Sequence, residues 1–338
     1  MKYKVVFDTN SIRNPESVTD FLGGRSELEL FLKVSEIIIP DIVIEEIKNQ
    51  KRKHLISKRD SFLSNPFHFL RKVDKEKTKS FDIEKCILEL VGVESLPYSV
   101  ITLTTNVLED IKKLSLGNLP PFEESSDKGF KDAYIYFTIL EYLNNIDGDN
   151  IFLVTKDDRL KLAFNDNVRV IVVKDFDEFE KHIDAYFRDE YFVNRLKEKI
   201  SENITAECID EIWLNTEENW VIKLTCDETV HFVEVDFSSR EIIDSTDYNF
   251  AEGIDGLIIS RAFRSVHSYI ETIKDYTQYF SDQEIKQLIE AAANNDQIYS
   301  IATDEDVKEF FMPIFKAKSQ IISDEDVVAR YKQYFNQE

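Results

Sequence analysis

The chain has 338 residues, 43% hydrophobic and 32% charged, with only 8 Gly and 7 Pro; this excludes a disordered or fibrous chain and suggests two globular domains. No stretch approaches the ~20 apolar residues of a membrane helix, and Asp8 interrupts the first apolar run too early for a signal peptide, so a cytoplasmic protein with no membrane contact is expected. Cys86, Cys208 and Cys226 lack zinc-site or disulfide-frame spacing and read as reduced thiols. The net charge of −23 argues against a nucleic-acid binder, but it is uneven: −6 over residues 1–185 and −17 over 186–338, with a local +8 over 48–79.

In chain order, Lys2 to Phe7 is a short Val-rich run bounded by Asp8-Thr9-Asn10-Ser11, the pattern of a buried strand ending in a polar turn. Residues 26–34 are predicted helical. Ile37 to Ile39 is a second strand stopped by Pro40, with Asp41 placed to cap the next helix. Residues 48–116 read as a mostly helical insertion containing the basic segment. Asn118 to Ser126 is a loop, Lys128 to Asn144 a helix, Ile151 to Thr155 a third strand and Val168 to Val173 a fourth. Short buried strands alternating with helices predict an α/β domain over 1–187, a parallel sheet flanked by helices. Residues 188–338 change character. An antiparallel meander is expected over about 204–237, with a hairpin connection at Asp227-Glu228-Thr229, then helices from 254 to the end. This is a smaller, acidic α+β accessory domain. Ser281-Asp282-Gln283-Glu284 fits a capping box, and Thr303 and Ser323 resemble helix starts.

Four acidic motifs fall at element ends in the first domain. Asp8 follows the first strand, Glu45-Glu46 lies in the helix after the second, Asp132 opens the helix at 128–144, and Asp157-Asp158 follows the third strand. Strand C-termini of an open parallel sheet converge on one edge, so acids distant in sequence can meet there. Helical phase separates the doublet: Glu46 shares a face with Ile42, Val43 and Ile47, and Glu45 does not. Asp132 shares a face with Ile135, Tyr136 and Ile139. Carboxylates turned inward and clustered require a cation, and a hard divalent ion such as Mg²⁺ or Mn²⁺ suits oxygen donors.

Val-Val-Phe-Asp8-Thr9-Asn10, Ile-Pro-Asp-Ile-Val-Ile-Glu-Glu46-Ile, Lys-Gly-Phe-Lys-Asp132-Ala-Tyr-Ile and Leu-Val-Thr155-Lys-Asp157 together resemble, in order, the four acidic motifs of PIN-domain nucleases, with a Lys-Gly-x-x-Asp-Ala form similar to a larger prokaryotic subgroup. The resemblance covers roughly residues 1–185. It implies a Mg²⁺- or Mn²⁺-dependent phosphodiesterase acting on RNA ahead of DNA. Asp8, Glu46, Asp132 and Asp157 would match the catalytic metal site, and Asn10 and Thr155 would be polar supports. Glu45, Asp127 and Asp158 stand as alternates. The stretch between Glu46 and Asp132 is longer than in small members. The appended domain on such a nuclease suggests a regulated toxin or defence effector. The acidic charge of the C-terminal domain has three readings: a plain solvated surface or a docking surface for a regulatory protein, both preferred to a nucleic-acid mimic that covers the basic segment.

Lys51, Arg52, Lys53, Lys58 and Arg59 follow Glu46 directly and are expected to contact the nucleic-acid backbone; the bland alternative is a solvated helical face. Asp8 and Asp157 have bland readings as well, as a turn cap and a helix N-cap. A non-catalytic scaffold of the same fold predicts loss of several acids, yet all four are present. A phosphatase of the haloacid-dehalogenase type wants a second Asp two residues after the first, where this chain has Asn10.

Overall fold

The computed structural model describes residues 3–122, 128–146, 150–226, 229–322 and 324–335. Among these, two compact units divide the chain, one ending at His182 and one beginning at Ile183.

The first unit begins with β1 (Tyr3–Phe7), α1 (Thr9–Ile12), α2 (Arg25–Val34) and β2 (Ser35–Pro40). A 24-residue helix α3 (Asp41–Ser64) follows, then α4 (Pro66–Leu70), α5 (Glu76–Lys79), α6 (Ile83–Gly92) and β3 (Ser99–Ile101). Next come α7 (Leu108–Leu116), α8 (Phe130–Asn144), β4 (Ile151–Val154), α9 (Asp158–Ala163), β5 (Val170–Val173) and α10 (Phe176–Phe187), whose last residues enter the second unit. Over the described residues the strands form a five-stranded parallel sheet in the order β3-β2-β1-β4-β5, with Val5 opposite both Ile37 and Phe152.

The strand residues Val5, Val6, Ile37 to Ile39 and Ile151 to Val154 are buried, as strands covered on both faces require. An aromatic layer supports one face: Phe31 meets Phe7 and Phe179 at 5.1 Å, and Phe152 meets Phe179 at 4.6 Å. Order reverses between β1 and β4. This is the switch point at which open parallel sheets form a crevice beyond their strand C-termini.

Two features depart from the sequence reading. The stretch 48–116 contains the edge strand β3, three residues long with Val100 half exposed, too short and too exposed to show a strand's periodicity. Asp41 is the first residue of α3 rather than its cap; Pro40 precedes the helix, and the Asp41 side chain accepts from Ile42 N at 2.7 Å.

The second unit continues with α11 (Glu190–Lys199) and an antiparallel sheet β6-β7-β8-β9 of Ile209–Leu214, Trp220–Cys226, Thr229–Val235 and Ile242–Thr246. The helices α12 (Ala251–Ile258), α13 (Phe263–Ile273), α14 (Asp282–Asn294), α15 (Asp296–Tyr299), α16 (Glu305–Lys318) and α17 (Glu325–Phe335) follow. Val221 and Phe232 of the sheet join Phe250, Ile270, Ile285 and Phe311 in one core. The Ser281–Glu284 capping box forms. The helix expected near Thr303 starts at Glu305 after Asp304, while Ser323 and the connection at Asp227-Glu228 lie outside the described residues. β9 was not legible in the sequence; its Asp-Ser-Thr end is polar and exposed.

The cysteine expectation is corrected. Cys208 and Cys226 form a disulfide, their Cα atoms 5.3 Å apart, and Cys86 is the free thiol. The cause is register. Pairing Ile209 with Leu224 brings the residue before β6 beside the end of β7, although 18 residues separate the two cysteines. Among the described residues no helix is long and apolar enough to cross a membrane.

Candidate metal centre

Asp8 sits where β1 ends and is 2% exposed. Its backbone N–H donates to Val154 O at 3.1 Å, which ties the β1 terminus to β4. Its Oδ1 accepts from Thr9 N at 2.6 Å, and its Oδ2 accepts from the Thr155 hydroxyl at 2.9 Å and the Asn10 amide at 3.4 Å. Thr155, also buried, accepts from Asp157 N at 3.0 Å through the same hydroxyl oxygen. One threonine side chain therefore links the segments after β1 and β4. Asp157 caps α9, its Oδ1 accepting from Arg159 N at 2.8 Å and Leu160 N at 3.0 Å. The bland roles of Asp8 and Asp157 are real, and they coexist with the cluster.

Glu46 reaches in from α3. Its Oε2 accepts from the Thr9 hydroxyl at 3.0 Å and its Oε1 from Lys131 Nζ at 2.5 Å. Asp132, in the first turn of α8, is half-buried and has no hydrogen-bond partner among the described residues. Burial, then repulsion from Asp157, Asp8 and Glu46, pushes its carboxyl up to about 6, with Lys131 opposing. Asp8 is raised as well, chiefly by burial, with smaller pushes from Asp157 and Glu46 and opposition from its Thr155 and Thr9 hydrogen bonds. The four acids singled out in the sequence therefore act on one another across four separate segments.

Of the three alternates, the two described ones do not share this setting. Glu45 points outward with its side chain 64% exposed and pairs with Lys48 at 2.8 Å. Asp158 is exposed in the first turn of α9, and Asp127 lies outside the described residues.

The basic residues after Glu46 divide sharply. Lys51 departs from the expected backbone contact: it is 0% exposed, and its Nζ donates to the carbonyls of Asn14, Ser17 and Asp20 at 2.5, 3.0 and 2.8 Å. Three acceptors satisfy its three N–H donors, so it braces the loop at 14–20, and burial holds its ammonium below the usual lysine range. Helical phase put Lys51 on the apolar side of α3, four residues after Ile47, and that signal outranked its charge. Arg52 is engaged bidentately by Glu84 at 2.5 and 2.8 Å, and Arg59 lies 3.4 Å from Asp60. Lys53 and Lys58 are exposed with no ion-pair partner among the described residues. Lys53, seven residues after Glu46, lies on the same face of α3, ~10 Å along the helix.

Two residues at the site escaped the sequence reading. Thr9 was read only as part of a turn, and Lys131 only as a filler position in the Lys-Gly-x-x-Asp-Ala form. Each donates to Glu46. The available signal was adjacency, since Thr9 follows Asp8 and Lys131 precedes Asp132.

The donor chemistry fits a hard divalent ion: carboxylates with threonine and asparagine beside them, and no nitrogen or sulfur ligand. Burial raises the Asp8 and Asp132 carboxyls most, and the neighbouring acids add to it. As the side chains stand, no three acidic, histidine or cysteine groups among the described residues converge closely enough to hold an ion. The hydrogen bonds explain this, because Glu46 is turned to Thr9 and Lys131, and Asp157 to the α9 N-terminus.

Comparison with protein families matches residues 5–160 to the PIN domain, which spans β1, β4 and all four acids. Neither the curated proteins nor the solved structures contain a match. The N-terminal part of this chain belongs to the PIN-domain family.

Proposed function

We propose that the N-terminal unit is a Mg²⁺- or Mn²⁺-dependent endonuclease that hydrolyses phosphodiester bonds, with RNA as the first substrate class. The observation that carries this reading is Asp132: a half-buried carboxylate without a hydrogen-bond donor, facing repulsion from Asp8, Glu46 and Asp157. A structural acid in that setting would be destabilising with no return, whereas a metal ligand requires it.

In this reading Asp8, Glu46, Asp132 and Asp157 hold the ion or ions. When bound, the ion lowers the pKa of water and offsets the charge that builds on the phosphodiester during attack. Thr155 and Asn10 fix the Asp8 carboxylate, and Thr155 sets the start of α9 at the same time. Burial of Asp8 and Thr155 keeps bulk water from competing for that carboxylate. Lys53 and Lys58, exposed on α3, supply positive charge for the nucleic-acid backbone.

The test is cleavage of RNA and DNA oligonucleotides in Mn²⁺ or Mg²⁺ by the wild type and by Asp8→Asn/Asp132→Asn. Cleavage by the wild type alone, abolished by EDTA, supports the reading, and the preferred oligonucleotide ranks the substrates. Equal cleavage by both proteins would overturn it.

A further inference from the structure

Lys131 occupies a costly position. It lies in the first turn of α8, where the helix dipole disfavours a cation. Its side chain is 52% exposed, so an ordinary pair there contributes little to stability. Yet its Nζ lies 2.5 Å from Glu46 Oε1, joining α8 to α3 across 85 residues of sequence. The backbone before it is fixed: Gly129 has φ +121, and a Cβ there would meet Phe122 Cα at 2.7 Å, so α8 starts in one place.

The contact makes sense as a substitution of one cation for another. Without an ion, Lys131 supplies the positive charge that Glu46 faces. A divalent ion held by the four acids would take Glu46 and repel the ammonium, both because the charges are alike and because the helix N-terminus already disfavours it. A displaced lysine at the rim of a nuclease site has one abundant counter-ion, the phosphate of the bound strand. We propose that Lys131 is a placeholder cation, which orients Glu46 in the ion-free site and passes to a substrate phosphate when the ion arrives. The proposal rests on the metal-dependent nuclease reading above.

The experiment compares the full chain as wild type, Lys131→Met and Lys131→Arg. Mn²⁺ binding is measured by titration calorimetry, and KM is measured with a labelled single-stranded RNA at saturating Mn²⁺. Loss of the competing ammonium should tighten Mn²⁺ binding in Lys131→Met by about three- to tenfold while raising KM by a similar factor. Lys131→Arg should return both toward wild type. Opposite movement of the two constants separates this role from a structural one, which would weaken both. Unchanged or weaker Mn²⁺ binding in Lys131→Met would overturn the placeholder role, and an unchanged KM would overturn the transfer to phosphate. A wild type that binds neither Mn²⁺ nor Mg²⁺ would remove the metal reading itself, and the proposal with it.

Discussion

Thr155 and Asp8, 147 residues apart, share a buried hydrogen bond of 2.9 Å that joins the ends of two neighbouring parallel strands. Asp8 has few other ways to satisfy that oxygen, so Thr155→Val should cost about 1–3 kcal/mol in urea unfolding near neutral pH. On the proposed function, activity should fall without vanishing, because Thr155 positions the Asp8 carboxylate and is not itself a proposed ligand. Thr155→Ser should recover most of both losses. A valine variant as stable as wild type would mean that the Asp8 carboxyl does not depend on this donor.

Asp132 sets a pH signature in metal-free protein. Its folded value, about 6, lies above the ordinary 3.8, so the folded state holds its proton more tightly than the unfolded chain does. The protonated acid contributes stability that is fully present below 3.8 and is lost as pH rises through about 6. In EDTA, Asp132→Asn should therefore melt higher than wild type above pH 6, with the gain disappearing at acidic pH. Saturating Mn²⁺ should reverse the order. Parallel melting curves across this range would show that the carboxyl carries no such burden.

Lys51→Met should destabilise the protein by about 2–4 kcal/mol, since it leaves the carbonyls of Asn14, Ser17 and Asp20 without the buried ammonium that they share. Chemical denaturation reads this directly. Nucleic-acid affinity of the folded variant should keep its salt dependence.

Lys53→Ala/Lys58→Ala should do the reverse. Stability should stay within ~0.5 kcal/mol. The slope of log affinity against log salt for a single strand should flatten by roughly 0.7 per lysine. An unchanged slope would mean that the strand runs elsewhere.

The disulfide predicts that thiol titration of the denatured, unreduced chain finds only Cys86. Reductant should weaken the wild type by about 2–4 kcal/mol, as expected for a loop of this size. Cys208→Ala/Cys226→Ala should not respond.

Much of the N-terminal half was legible because two signals agreed there. Strand-ending acids at Asp8 and Asp157 imply convergence through sheet topology, and inward helical phase marks Glu46 and Asp132. β3 and β9 were not legible, since a three-residue edge and a polar edge bury too little to leave a pattern. Lys51 was misread because composition groups it with its charged neighbours, whereas phase places it with Val43 and Ile47. The disulfide depends on strand register, which spacing along the chain does not express.

Lys51 has a consequence beyond stability. It stands five residues after Glu46 on one rigid helix and grips the loop that begins just beyond α1, the helix Asp8 caps. Asp8, just beyond β1, and Glu46, on α3, are thereby held in registration by a clamp that touches neither. Substitutions among residues 14–20 that alter where those carbonyls point would shift Asp8 relative to Glu46. The gap between the two carboxylates, and with it the size of ion that the proposed site would accept, is adjustable from a surface loop that carries neither of them.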